Sequence, residues 1–178
     1  MSVPIHIFNA TSLSQTEIDA VTKEVHEIYH VPVQTSRFHL EANTGYDVSR
    51  RQYNSTVLLS QLLSLENTPP RKLILLVDVD LFIPVLTFVF GEAQFDGIAA
   101  IVSMYRLSNT FYGVEEHRSL LIERIVKEIV HELGHTFGLY HCHQFECVMR
   151  SSTYVEEIDL KKEKMCEECA EMLYRKMR

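Results

Sequence analysis

Residues 131–141 read His131-Glu132-Leu133-Gly134-His135-Thr136-Phe137-Gly138-Leu139-Tyr140-His141. On a helix of about 3.6 residues per turn, two histidines four apart differ by about 40° around the axis, so both imidazoles reach one ion. Gly138 lets the chain reverse after the helix, and His141 then swings back as a third nitrogen ligand. A tetrahedral zinc held this way keeps its fourth position for water, which is what separates a catalytic site from a closed structural one. Glu132, next to the first ligand, is placed to take a proton from that water rather than to bind the metal, and these roles together describe hydrolysis of an amide bond. The short His-Glu-x-x-His pattern arises by chance in about 2% of chains this long, and requiring Gly138 and His141 as well divides that by about 400.

The four cysteines all lie further along, as Cys142-x4-Cys147 and Cys166-x-x-Cys169, with 18 residues between the pairs. Both spacings chelate, and four thiolates make a closed tetrahedral site of structural type. That site ties the loop after His141 to the end of the chain. Disulfides and a redox role for Cys166-x-x-Cys169 are the competing readings; no strand precedes that pair in the thioredoxin manner.

The rest of the chain must position these groups. Val3 to Asn9 reads as a strand, and Ser14-Gln-Thr-Glu17 is a capping box for a helix with Ile18, Val21, Val25 and Ile28 on one face. Val31 to Leu40 reads as a second strand and Tyr53 to Leu65 as a second amphipathic helix, ended before Pro69-Pro70. Leu73 to Val79, Leu86 to Phe90 and Ile98 to Met104 read as further strands. From Glu115 a long helix carries Leu120, Leu121, Ile125, Val126, Ile129, Val130 and Leu133 toward the sheet and stops at Gly138. A final helix is expected over Ile158 to Lys176, with Leu160, Met165, Cys169, Met172 and Leu173 inward.

The fold class is therefore α+β or α/β: one domain over residues 1–178 with a mixed, roughly five-stranded twisted sheet and packed helices. Residues 1–138 form an N-terminal part with the sheet and active-site helix. Residues 139–178 form a C-terminal part with the third histidine and the cysteines.

Seventeen Lys and Arg against 24 Asp and Glu give a net charge of −7, a field that opposes nucleic acid and anionic membranes. The most apolar window, Leu73 to Phe90, is broken by Asp78, Asp80 and Pro84 and reads as strands and a turn rather than a membrane span. The N-terminus lacks the pattern of a signal peptide, so the expected location is cytoplasmic and the expected state a monomer. No cysteine precedes residue 131 to hold the site latent, so the chain is expected to be active as written.

His131-Glu132-x-x-His135-x-x-Gly138-x-x-His141 followed by Met149 resembles the metzincin metallopeptidases, which carry a methionine turn beneath the zinc. Cys142-x4-Cys147-Val-Met149 and Cys166-x-x-Cys169 are similar to the archaemetzincins, a subgroup with a second zinc site of four cysteines. The resemblance implies His131, His135 and His141 as ligands of a catalytic zinc, Glu132 as general base, Gly138 as the helix-ending turn and Met149 as the Met-turn residue. It further implies Cys142, Cys147, Cys166 and Cys169 around a structural zinc, two zinc ions per chain, and a peptide or protein substrate. Where several metzincins carry a tyrosine two residues after the methionine, this chain has Ser151; Tyr154 nearby is given no role. An antiparallel edge strand that aligns substrate is also implied, and Leu86 to Phe90, or the stretch to Gln94, is the candidate. His117 and His143 are expected at the surface.

Two other classes compete. One is a noncatalytic zinc-dependent module that binds peptide or protein, against which Glu132 stands, since a binder needs no base beside its metal. The other is a nucleic-acid zinc finger, for which Lys161, Lys162, Lys164, Arg175, Lys176 and Arg178 supply basic charge. Glu163, Glu167, Glu168 and Glu171 are interleaved with them, the pattern of a solvated helix face.

Overall fold

The computed structural model describes residues 3–41, 43–64 and 71–177. Strand β1 (Ile5–Ala10) leads through Ser14, whose side chain accepts from the Glu17 amide while Glu17 reaches back to the cap, into α1 (Gln15–Tyr29). The capping box thus forms as its residues predict. Next come β2 (Val33–Arg37), the short β3 (Tyr46–Asp47) and β4 (Gln52–Asn54), then α2 (Ser55–Ser64) and β5 (Lys72–Val77). Strands β6 (Leu81–Phe82), β7 (Gly91–Ala93) and β8 (Ala99–Ser103) precede the long α3 (Arg118–Thr136), and α4 (Val155–Asp159) and α5 (Glu167–Lys176) complete the order.

The main sheet has five strands in the order β2-β1-β5-β8-β7, all parallel except β7, which runs antiparallel to β8 at one edge. Strands β5 and β8 are buried on both faces, and their alternating side chains enter two different cores. Ile74, Leu76, Ala100 and Val102 pack with α1 and α3, whereas Leu73, Leu75, Val77, Ala99 and Ile101 pack with Leu58, Leu59 and Leu62 of α2. Full burial of each Leu, Ile or Val side chain among them stabilises the fold by about 1.5–3 kcal/mol. The first of these cores also takes in Cys147, Val148, Met149, Ile158, Cys169 and Leu173, so the last forty residues share it with the sheet. No helix among the described residues is long and apolar enough to cross a membrane.

Four expectations need correction. The final helix is two helices, because residues 160–166 leave the helical path: Lys161 turns inward to backbone carbonyls, and Cys166 is extended so that its N–H reaches Cys147 Sγ. In consequence Leu160 and Met172 are exposed rather than inward, while Met165, Cys169 and Leu173 do face the core. Leu86 to Phe90 is not a strand; a turn closes from Leu86 N–H to the Ile83 carbonyl around Pro84, Val89 makes one bridge to Leu81, and the strand begins at Gly91. The second helix begins at Ser55, with Tyr53 in β4 of a separate three-stranded sheet ordered β3-β4-β6, whose strands are too short for any periodic signal. The expected end of α2 at Leu65 and Pro69-Pro70 lies outside the described residues.

Candidate metal centres and the cleft over the histidines

Helix α3 buries its apolar stripe on the sheet and brings His131 and His135 to its C-terminal end on one side. His131 Nδ1 lies 2.8 Å from the Val148 carbonyl, and His135 Nδ1 lies 2.7 Å from the Leu139 carbonyl. A carbonyl only accepts, so each Nδ1 carries the proton and each Nε2 presents a lone pair. Those two Nε2 atoms stand 3.1 Å from one another, two acceptors face to face with no hydrogen between them. A cation resolves that opposition, and the spacing is close to the roughly 3.3 Å edge of a tetrahedron of zinc–nitrogen bonds.

After the helix Gly138 takes φ +81°, a conformation that glycine adopts without strain, and its N–H donates to the His135 carbonyl. The chain turns there and carries His141 to within 5.3 Å of the His131 ring and 4.8 Å of the His135 ring, centre to centre. The three histidines form one group with ligand atoms within 4.8 Å of each other, His131 buried and His141 exposed. Burial lowers the pKa of all three, and Lys161 adds to the effect, so the rings are neutral and ready for a cation.

Glu132 lies outside that group and faces β7. Burial, then the carboxylates of Glu128 and Glu92, push its carboxyl well above the ordinary range against the pull of Lys161. A Cβ on Gly91 would meet Glu132 Cγ and Oε1 at 2.8 Å, so glycine is what lets β7 run alongside this carboxyl. Met149 is fully buried, and its sulfur occupies the space that a Cβ on Gly134 would need.

The four cysteines form a second group, also with ligand atoms within 4.8 Å of each other, and none is in a disulfide. Cys142 and Cys166 sulfurs are 3.7 Å apart, far beyond the roughly 2.05 Å of an S–S bond and close to the roughly 3.8 Å edge expected around a tetrahedral zinc. The disulfide reading therefore falls. Burial raises the Cys147 and Cys169 thiols, a cost that a bound cation reverses by taking the thiolate. Both donor sets thus suit zinc, one of three neutral nitrogens and one of four sulfurs. His117 and His143 are exposed, as expected, and neither joins a metal-binding group among the described residues.

A cleft of about 310 Å³ opens over the first group, walled by Thr87 to Gly91 on one side and Ser151 to Thr153 on the other. Ser151 stands in that wall. A larger groove of about 1030 Å³ between the end of α1 and α5 carries none of these ligands. Two residues of the cleft were not legible beforehand. Gly91 had only the general signal of a turn glycine, and Lys161, grouped with a solvated basic face, is 3% exposed and lines the cleft. Nothing in the sequence separates Lys161 from Lys162 and Lys164 beside it.

Residues 7–175 match the model of peptidase family M54. The archaemetzincin of Methanocaldococcus jannaschii is 38% identical over 129 residues, 72% of this chain and 70% of that protein. The archaemetzincin of Sulfolobus acidocaldarius is 36% identical over 169 residues, 94% of each chain. Among solved structures, a zinc-dependent peptidase from Methanocorpusculum labreanum superposes with a TM-score of 0.87 at 31% identity, covering 95% of this chain and 99% of its own. The archaemetzincin of Methanopyrus kandleri superposes with a TM-score of 0.85 at 33% identity, covering 98% and 95%.

Proposed function

The chain belongs to peptidase family M54, the archaemetzincin family of zinc metallopeptidases, and from that premise we propose that it cleaves peptide bonds with Glu132 as general base. In this reading His131, His135 and His141 hold the catalytic zinc, and Cys142, Cys147, Cys166 and Cys169 hold a second, structural one. A zinc ion on three neutral imidazoles supplies Lewis acidity, which makes water acidic near neutral pH and polarises a carbonyl. The observation that carries the reading is the pair of facing Nε2 lone pairs on His131 and His135, each fixed by a carbonyl behind it.

Glu132 accepts the proton of the attacking water and returns it to the leaving amine, a role worth about 10²–10⁴-fold in rate. Strand β7 is the outer strand of the main sheet and passes beside Glu132, so an extended substrate adds to that edge with its scissile carbonyl over the histidines. Met149 floors the histidine centre and Gly138 makes the turn to the third ligand. Peptide or protein is the substrate; the chain acts as a monomer in the cytoplasm without nucleic acid or membrane partners.

The alternative, a noncatalytic peptide-binding module, is separated by Glu132→Gln. Hydrolysis of a mixed peptide library, read by mass spectrometry, is expected to fall by about 10²–10⁴-fold in the variant while both zinc ions remain. Equal cleavage by wild type and variant would remove Glu132 from the role given to it, and no cleavage by zinc-loaded wild type would favour the binder.

A further inference from the structure

Lys161 is buried beside the histidine centre without belonging to it. Its side chain is 1% exposed, and its ammonium donates to the Arg150 carbonyl at 2.9 Å and to the Val148 carbonyl at 3.3 Å. Val148 and Arg150 flank Met149, and the Val148 carbonyl is the same acceptor that holds His131 Nδ1. The nearest acid is Glu128, one helical turn before Glu132, with Oε1 3.7 Å from Lys161 Nζ. At that distance the two attract as charges but do not share a hydrogen bond, and Glu128 Oε1 has no other partner among the described residues.

Burying an ammonium costs several kcal/mol where an apolar side chain of similar length costs nothing, so packing alone does not account for a lysine here. What the ammonium adds over methionine is a pair of directed bonds to two carbonyls that bracket the residue beneath the histidines. Groups behind a ligating histidine set its ring direction, and the Val148 carbonyl is such a group. We infer that Lys161 is a positioning residue for the histidine centre: by pinning the Val148 and Arg150 carbonyls it fixes the direction in which His131 presents Nε2. The inference rests on the reading that the histidines hold zinc.

The test is zinc affinity at the histidine site, by competition with a chromogenic chelator, in wild type, Lys161→Met, Glu128→Gln and the double variant. Zinc binding by wild type is scored first, since its absence refutes the metal reading itself. Given that binding, Lys161→Met is expected to weaken affinity by about 10–100-fold while the cysteine-bound zinc stays in place. Its kcat is expected to drop with KM little changed, because alignment rather than substrate contact is lost. Glu128→Gln is expected to shift affinity by less than about threefold, and the double variant to remain as weak as Lys161→Met, because the carbonyl bonds are what position His131. Wild-type affinity in Lys161→Met overturns the inference. So does its return in the double variant, which would assign the effect to an unpaired charge. Should Lys161→Met not fold, NMR of zinc-loaded wild type with labelled lysine decides: scalar coupling from Lys161 Nζ to the Val148 and Arg150 carbonyl carbons is expected, and a freely rotating ammonium without it refutes the clamp.

Discussion

Gly91 and Glu132 are in such close approach that a single added methyl would separate them: a Cβ on Gly91 would lie 2.8 Å from the carboxylate's Cγ and Oε1 and 2.7 Å from the Ile101 carbonyl. The strand cannot retreat without breaking its ladder to β8, where Gly91 pairs with Val102. Gly91→Ala is therefore expected to push Glu132 out of line, lowering kcat at least tenfold, with a folding cost of about 1–3 kcal/mol from overpacking. Zinc content should not change, since the displaced group is not a ligand. Kinetics and elemental analysis of the same preparation check both; unchanged kcat would mean that Glu132 is free to move.

Gly134 and Met149 make a second such pair, inside α3. A Cβ on Gly134 would overlap the Met149 sulfur and press on its methyl group, so glycine is kept at a helix position where it costs about 1 kcal/mol relative to alanine. Gly134→Ala should gain helix propensity yet lose net stability by about 1–3 kcal/mol, and Gly134→Ala with Met149→Ala should recover part of the loss. Thermal melts of the two variants test this coupling; a stabilised Gly134→Ala would show that the helix and the turn below it are not in contact.

The two candidate donor sets were legible because metal chemistry imposes spacing: a step of four positions from one helical histidine to the next, three from Gly138 to His141, and two chelating cysteine pairs. The sheet was legible where burial imposes pattern, as in Leu73 to Val77, apolar at every position because both faces are covered. What failed is what spacing does not encode. A helical period across Ile158 to Lys176 holds on paper, but Cys166 must be extended to turn its N–H toward Cys147, and Lys161 must reach the Val148 and Arg150 carbonyls. The run Leu86 to Phe90 makes no strand beyond the single bridge at Val89, because it leaves a turn at Ile83 to Leu86 in which Pro84 lacks a donor and Val85 faces water at 84% exposure. Lys161 was misplaced for the same reason, since only the tertiary fold shows which of several interleaved lysines points inward.

Glu132 gives the account a pH dependence of defined sign. Burial first, then Glu128 and Glu92, raise its carboxyl well above the ordinary value of 4.5. A carboxyl raised in the folded state costs stability at pH values above its folded pKa, and the cost fades as pH falls through that value toward the unfolded one. With the histidine zinc stripped by mild chelation and the cysteine zinc kept, Glu132→Gln should melt above wild type at pH 8. The gap should close as pH approaches 4.5. A gap constant across that range would mean that Glu132 is solvated in the folded chain.

Two chemically distinct donor sets, one of nitrogen and one of sulfur, meet where Cys142 follows His141, and each is proposed to hold its own zinc ion. Zinc per chain, measured by elemental analysis after loading and desalting, tests it most directly when wild type is compared with the double variant His131→Ala, His135→Ala. The account predicts two zinc ions in wild type and one in the double variant, with peptide hydrolysis lost. An equal zinc content in the two proteins would contradict it, because the histidines would then hold no zinc of their own.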